Sequence, residues 1–177
     1  MRFIETKIRG SFIVEPQRFE DERGFLAPSF RAKEFAAHGL EHAFVENNIS
    51  FSKSRGTLRG IHYQAAPYGQ AKLVRCTRGA IFDVAVDLRP DSPTFKQWIG
   101  VELSEENRLM FYLPGDFAHG FQTLVDDTEV FYMVSTPYVP ESSRGFRWND
   151  PAFGIEWPDV SARVMIERDE RYPDFTL

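Results

Sequence analysis

The run Thr57-Leu58-Arg59-Gly60-Ile61-His62-Tyr63-Gln64, followed shortly by Gln70-Ala71-Lys72, places one imidazole in a β-forming segment with two cations close in sequence. Imidazole titrates near ~6.5 when unperturbed, so His62 suits the work of a general base at neutral pH. A base beside Arg59 and Lys72 suits proton removal from a carbon acid that bears negative charge, because fixed cations stabilise the charge that develops. Taken alone, the same residues also describe a core histidine and two surface cations. Two further stretches weigh against that. Phe117-Ala118-His119-Gly120-Phe121 brings a second imidazole, and Val130-Phe131-Tyr132 brings a phenol.

Strands must hold these groups. Side chains alternate along a strand, so Arg59 and His62, three apart, face opposite ways if the strand is regular. If both serve one site, the strand must kink or bulge between them, and Gly60 is the place for it. His119 and Phe121 share a face of their strand, and Tyr132 shares one with Val130 and Val134.

The rest of the chain supplies such strands at short, regular intervals. Strand patterns cover 12–15, 25–30, 44–50, 57–64, 71–77, 80–88, 94–103, 109–113, 120–124 and 128–136. Pro28 interrupts the second and suits an edge position. Phe82, Val84, Val86 and Leu88 share one face of their strand, and Asp83 and Asp87 the other. Arg78-Gly79 reads as a tight hairpin. One clear helix is expected over 31–37, capped by Ser29 and ended by Gly39. Many short strands at this spacing predict an all-β sandwich or barrel with a few short helices. From Pro137 the chain is irregular, with Trp148 and Trp157 expected against the barrel. The charged residues 166–177 read as a frayed tail, and His38 and His42 as surface.

Composition sets the outer limits. A chain of 177 residues fits a single domain, 1–177, with a real core. Hydrophobic residues at 42% exclude disorder, and 17 Phe favour strands. A net charge of -5 argues against a nucleic-acid partner, so an anionic ligand must meet a local group of cations. One cysteine, Cys76, excludes an internal disulfide framework. The charged first ten residues lack a signal-peptide core, and no apolar run nears the ~20 residues that span a bilayer, so no membrane partner is expected. A soluble cytoplasmic protein is the expectation.

With these residues in hand, the chain resembles the dTDP-4-dehydrorhamnose 3,5-epimerase family of nucleotide-sugar epimerases. The likeness rests on Asp21-Glu22-Arg23-Gly24, Leu58-Arg59-Gly60-Ile61-His62, Lys72-Leu73-Val74-Arg75, Phe82-Asp83-Val84-Ala85-Val86-Asp87, Ser92-Pro93-Thr94-Phe95, Phe117-Ala118-His119-Gly120-Phe121 and Trp148-Asn149-Asp150, in order along nearly the whole chain. The resemblance implies a cupin-type jelly roll, a homodimer that exchanges N-terminal strands, and catalysis with no metal or organic cofactor. It implies His62 as base, Asp169 as its partner, Tyr132 as opposing acid and Lys72 near the sugar carbonyl. It implies Arg23, Arg59, Asn48, His119 and Tyr138 as holders of a nucleotide-diphospho-4-keto sugar, with Glu46 and Phe121 beside them. Four positions in two stretches depart from the family pattern: Pro28 stands where a carboxylate is usual, and Glu46, Asn47 and Ile49 fall in a run, Glu46-Asn47-Asn48-Ile49, where Gln-Asp-Asn-His is usual. Since proline offers no side-chain acceptor for the thymine N3–H, relaxed base choice is expected, with a CDP-linked sugar beside a dTDP-linked one.

The implied chemistry is coherent. Both carbons flanking the keto group of a 4-keto sugar, C3 and C5, are acidic because the carbanion delocalises onto the oxygen. Inversion needs a base on one face and a proton donor on the other. Lys72 suits the enolate oxygen, a phenol holds its proton at neutral pH, and an arginine fork suits diphosphate. The competing readings are a C3-only epimerase, a CDP-sugar epimerase of the same family, a metal-dependent cupin and a non-catalytic sugar-binding module. The metal reading lacks a His-x-His pair among the four histidines.

Overall fold

The computed structural model describes residues 1–176. Thirteen strands run in chain order: β1 (Arg2–Glu5), β2 (Phe12–Glu15), β3 (Phe19–Asp21), β4 (Gly24–Leu26), β5 (Glu46–Ser52), β6 (Leu58–Gln64), β7 (Lys72–Arg78), β8 (Ala80–Asp87), β9 (Trp98–Ser104), β10 (Met110–Leu113), β11 (Phe117–Thr123), β12 (Thr128–Val134) and β13 (Ser143–Gly145). The helices are short, α1 (Ala32–Ala37) and α2 (Glu167–Glu170). Two antiparallel sheets form a jelly-roll sandwich. One has the order β1-β2-β10-β7-β12-β5 and the other β13-β6-β11-β8-β9. β3 and β4 stand apart as a two-stranded ribbon.

Three apolar clusters explain why the strand patterns were so dense. Val74, Cys76, Ile81, Ala85, Leu103, Phe111, Phe117, Phe121 and Val130 fill the space between the sheets. Val14, Leu73, Met110 and Tyr112 cover the outer face of the six-stranded sheet and pack against Phe35 of α1. Ile61, Val84, Val86 and Ala118 cover the outer face of the five-stranded sheet, under Phe146, Phe153, Trp157 and Phe175. Strands such as β7 and β8 are therefore buried on both faces and read as near-continuous apolar runs. The predicted alternation in β8 holds, with Phe82, Val84, Val86 and Leu88 together in the outer cluster.

Local expectations fail where tertiary placement intervenes. Arg78-Gly79 is not a hairpin: β7 and β8 belong to different sheets, so the chain crosses the sandwich there. The strand expected over 25–30 ends at Leu26, paired only with β3. Ser29 does not cap α1, whose N-cap is Arg31 without a side-chain cap bond. Residues 166–175 are not frayed but lie folded against the five-stranded sheet.

Candidate active site

A cavity of about 680 Å³ opens between the two sheets. Arg59, His62, His119 and Phe121 reach it from the five-stranded sheet, and Lys72, Tyr132, Ser50 and Ser52 from the six-stranded one. The first inference from parity is met here. His119 pairs with His62 while Phe121 pairs with Arg59, so two residues of β6, Gly60 and Ile61, lie opposite one of β11, Gly120. The extra residue is a bulge, and it turns both Arg59 and His62 into the cavity. Gly60 sits in it with φ +129, where a Cβ would lie 2.6 Å from the Gly120 Cα. No other residue type fits that crossing of two backbones.

His62 is bound to a carboxylate from far along the chain. Its Nε2 lies 2.8 Å from Asp169 Oδ1, and the other carboxylate oxygen accepts the Gly60 N–H at 3.2 Å. Asp169 is only 2% exposed. Burial pushes its carboxyl up, but the bonds from His62 and Gly60 and the nearby charges more than offset this, leaving it below the usual carboxylate value. Arg168 Nε adds a longer bond to Oδ1 at 3.4 Å, and a buried carboxylate held in this way fixes the orientation of the His62 ring. Nε2 is taken by Asp169, so Nδ1 is the ring nitrogen left for other work.

The remaining groups fall into place around this pair. Lys72 is buried, and its Nζ donates to a neutral partner, Gln70 Oε1, at 3.1 Å. Burial without a counter-charge pulls its ammonium down to about 8. Burial pushes the Tyr132 phenol up, with Arg59 opposing and Glu46 adding, so it keeps its proton at neutral pH. Arg59 is pinned from β5, donating to Ser52 Oγ at 3.2 Å and to the Phe51 carbonyl at 2.9 Å. Tyr138, 56% exposed, stands at the rim as an aromatic face open to a ligand. Its loop is tied down by buried Gln64, which donates to the Pro137 carbonyl and accepts from the Val139 N–H.

Not every expected residue lines the cavity. Asn48 and Glu46 lie on the same face of β5 as Ser50 and Ser52 but farther along, Asn48 paired with Tyr132 and Glu46 with Val134. Arg23 lies at the tip of the ribbon, exposed and ion-paired with Asp21, off the cavity wall. Pro28, in the segment between β4 and α1, is off it too.

Three residues escaped the sequence reading, Asp83 foremost. Asp83 is fully buried behind His119, whose Nε2 lies 2.6 Å from Asp83 Oδ1, while Oδ2 has no hydrogen-bond partner. Burial pushes this carboxyl up, and the His119 bond and charge pull the other way. The signal was present as an acid in the middle of an apolar strand, on the face opposite Val84 and Val86. Arg168 and Lys53 are further cations at the wall that the reading did not single out. Among the described residues no group of three or more His, Cys, Asp or Glu is arranged to hold a metal ion, and no helix is long and apolar enough to cross a membrane.

The comparisons with known proteins agree with one another. The family model described as dTDP-4-dehydrorhamnose 3,5-epimerase matches residues 5–176. The enzyme of that name from Sinorhizobium fredii (strain NBRC 101917 / NGR234) is 45% identical over 98% of this chain and 89% of its own length. Its namesake from Escherichia coli (strain K12) is 46% identical over 100% and 95%. The crystal structure of the Bacillus anthracis enzyme of the same name, with TDP and PPi bound, superposes with a TM-score of 0.94 at 42% identity, covering 98% of this chain and 99% of that one. Sheet order, cavity and full-length similarity converge, and the chain belongs to the dTDP-4-dehydrorhamnose 3,5-epimerase family of carbohydrate isomerases.

Proposed function

We propose that the protein inverts C3 and C5 of a dTDP-linked 4-keto-6-deoxy sugar by deprotonation and reprotonation. The observation that carries this is the pairing of His62, backed by buried Asp169, with Tyr132 from the opposite sheet across one cavity. His62 takes the proton from the carbon next to the keto group. Asp169 stabilises the imidazolium that results. Lys72 meets the oxygen on which the enolate charge collects, where a positioned cation in a water-poor site is most effective. Tyr132 returns a proton from the other face. Arg59, His119 and Arg168 face the diphosphate, and Tyr138 offers its ring to the base. A positioned base is typically worth roughly 10²–10⁴-fold in rate.

Incubation with dTDP-4-keto-6-deoxyglucose in heavy water tests the reading. The protein should wash deuterium into C3 and C5, and His62→Ala should bind the nucleotide sugar and exchange nothing. Uptake at C3 alone would make it a C3 epimerase, and near-normal exchange by His62→Ala would remove that residue from the mechanism. The position of Pro28 keeps CDP as the alternative nucleotide. Calorimetry with dTDP and CDP decides it, and dTDP binding more than about a hundredfold tighter, ~2.8 kcal/mol, would exclude relaxed base choice.

The working unit we propose is a homodimer. Phe19, Phe25 and Leu26 of the ribbon are exposed at 47%, 46% and 73%, and Val45 and Ile49 beside the free edge of β5 at 57% and 70%. Exposed apolar side chains on the ribbon and beside the sheet edge call for a partner. A second copy that lays its ribbon along β5 would bring Arg23 toward the cavity that β5 borders.

A further inference from the structure

The tripeptide Trp148-Asn149-Asp150 lies outside the cavity wall, yet it grips the chain on both sides of the residue that partners His62. Asp169 sits on α2, a helix of four residues that cannot persist by itself. The chain leading to it is held first by Trp148, whose carbonyl accepts the Trp157 Nε1–H at 2.8 Å and whose ring carries the Arg163 guanidinium at 4.0 Å. Val164 then exchanges backbone bonds with Gly56 and Leu58 at 3.0 and 2.9 Å. The chain leaving α2 is held by Asp150. That carboxylate is 2% exposed; one oxygen accepts the Ala152 N–H at 2.8 Å and the other the Phe175 N–H at 2.6 Å. Arg147 pairs with Asp174, and the Phe175 ring packs on Phe146 and Phe153 at 5.7 and 5.3 Å. Between the two moorings Tyr172 turns its ring edge-on to His62 at 5.9 Å, in space that a Cβ on Gly145 would invade at 2.6 Å.

We propose that Asp150 and Phe175 are positioning residues for catalysis: they moor the segment 166–175 so that Asp169 and Tyr172 stay seated on His62. The proposal rests on the reading of His62 as the base. The physical reason is economy of contact. α2 is bonded to β6 through the Asp169 carboxylate, so the seating of the dyad also draws on anchors several residues away. Slack in such an anchor moves a catalytic group without emptying the substrate cavity.

The test is a mutant cycle between Phe175→Ala and Asp169→Asn, with kcat and KM measured for each. If the mooring acts through Asp169, Phe175→Ala lowers kcat roughly 10- to 100-fold, the scale of a misplacement near 1 Å, and leaves KM within about threefold. In the Asp169→Asn background it should change kcat less than about twofold, because there is no carboxylate left to seat. Phe175→Leu, which keeps an apolar anchor, should recover most of the rate. Asp174→Ala, at an exposed position that cannot unfold the core, should move kcat in the same direction. An equal fall in both backgrounds, or no fall in the parent, overturns the mooring. Parent-like turnover of Asp169→Asn alone instead overturns the reading of the dyad, and the mooring with it.

Discussion

At the scale of single residues, two assignments separate by what they do to protons. Tyr132 keeps its proton at neutral pH because burial disfavours the phenolate. Tyr132→Phe should still let His62 exchange substrate hydrogens with solvent while little inverted sugar forms. The measurement is deuterium uptake against product formation in one reaction, and equal loss of both would reduce Tyr132 to a wall of the pocket. Lys72 gives a pH dependence. Its ammonium is pulled down to about 8 by burial, so the charged form that meets the enolate is present below that value and lost above it. kcat/KM, which reports the free enzyme, should therefore fall on the alkaline side around pH 8. Lys72→Arg should lift that limb out of range, and a limb unchanged in Lys72→Arg would assign it to another group. The linkage to stability runs the other way. An unfolded lysine binds its proton up to the usual 10.5, so folding gains as pH rises from about 8 toward that value.

At the scale of elements, the bulge in β6 decides whether there is a site at all. A regular β6 would turn either Arg59 or His62 out of the cavity. Gly60→Ala puts a methyl into the backbone of β11 and a side chain at φ +129. Strain of this kind and overpacking each cost about 1–3 kcal/mol, so a loss of roughly 2–6 kcal/mol is expected. Urea unfolding measures it, and turnover should fall beyond what the lost stability explains because Arg59 and His62 no longer share an orientation. A variant with parent stability would show that the strands can part there without cost.

At the scale of the whole molecule, the proposed pairing of two copies couples solubility to activity. Leu26→Asp with Phe25→Asp should give a monomer in sedimentation analysis and raise KM for the nucleotide sugar, since Arg23 would lose its way to the neighbouring cavity. A parent dimer, or a monomer with parent KM, would contradict the arrangement. The physical ground is that one edge of the six-stranded sheet, β5, borders the cavity and presents an open strand edge beside Val45 and Ile49.

Much of the fold is legible in the sequence. Period-two alternation is a local property, so β2, β6, β7, β10 and β12 appear in the sequence within a residue or two of their bounds, and the parity of Arg59 and His62 demanded the bulge at Gly60. Local chemistry also marked His62, Tyr132 and Lys72 as groups able to move or stabilise a proton. Other features depend on which distant segment arrives next to which. Arg78-Gly79 has hairpin chemistry, yet the two strands it joins enter different sheets, β7 pairing with β10 and β12 and β8 with β9 and β11. Asp83 looked like the polar side of a strand and became the buried partner of His119. Residues 166–175 carry the composition of a frayed tail, and no local pattern ties Asp169 to His62, 107 residues away. Their order comes from the Asp150 carboxylate and the Phe146–Phe153 pair, which offer an acceptor and apolar surface only once the sheet beneath them has formed. The residue types able to do the chemistry were set by the sequence, but which carboxylate serves which imidazole was decided by packing, since such contacts form only after the core has closed.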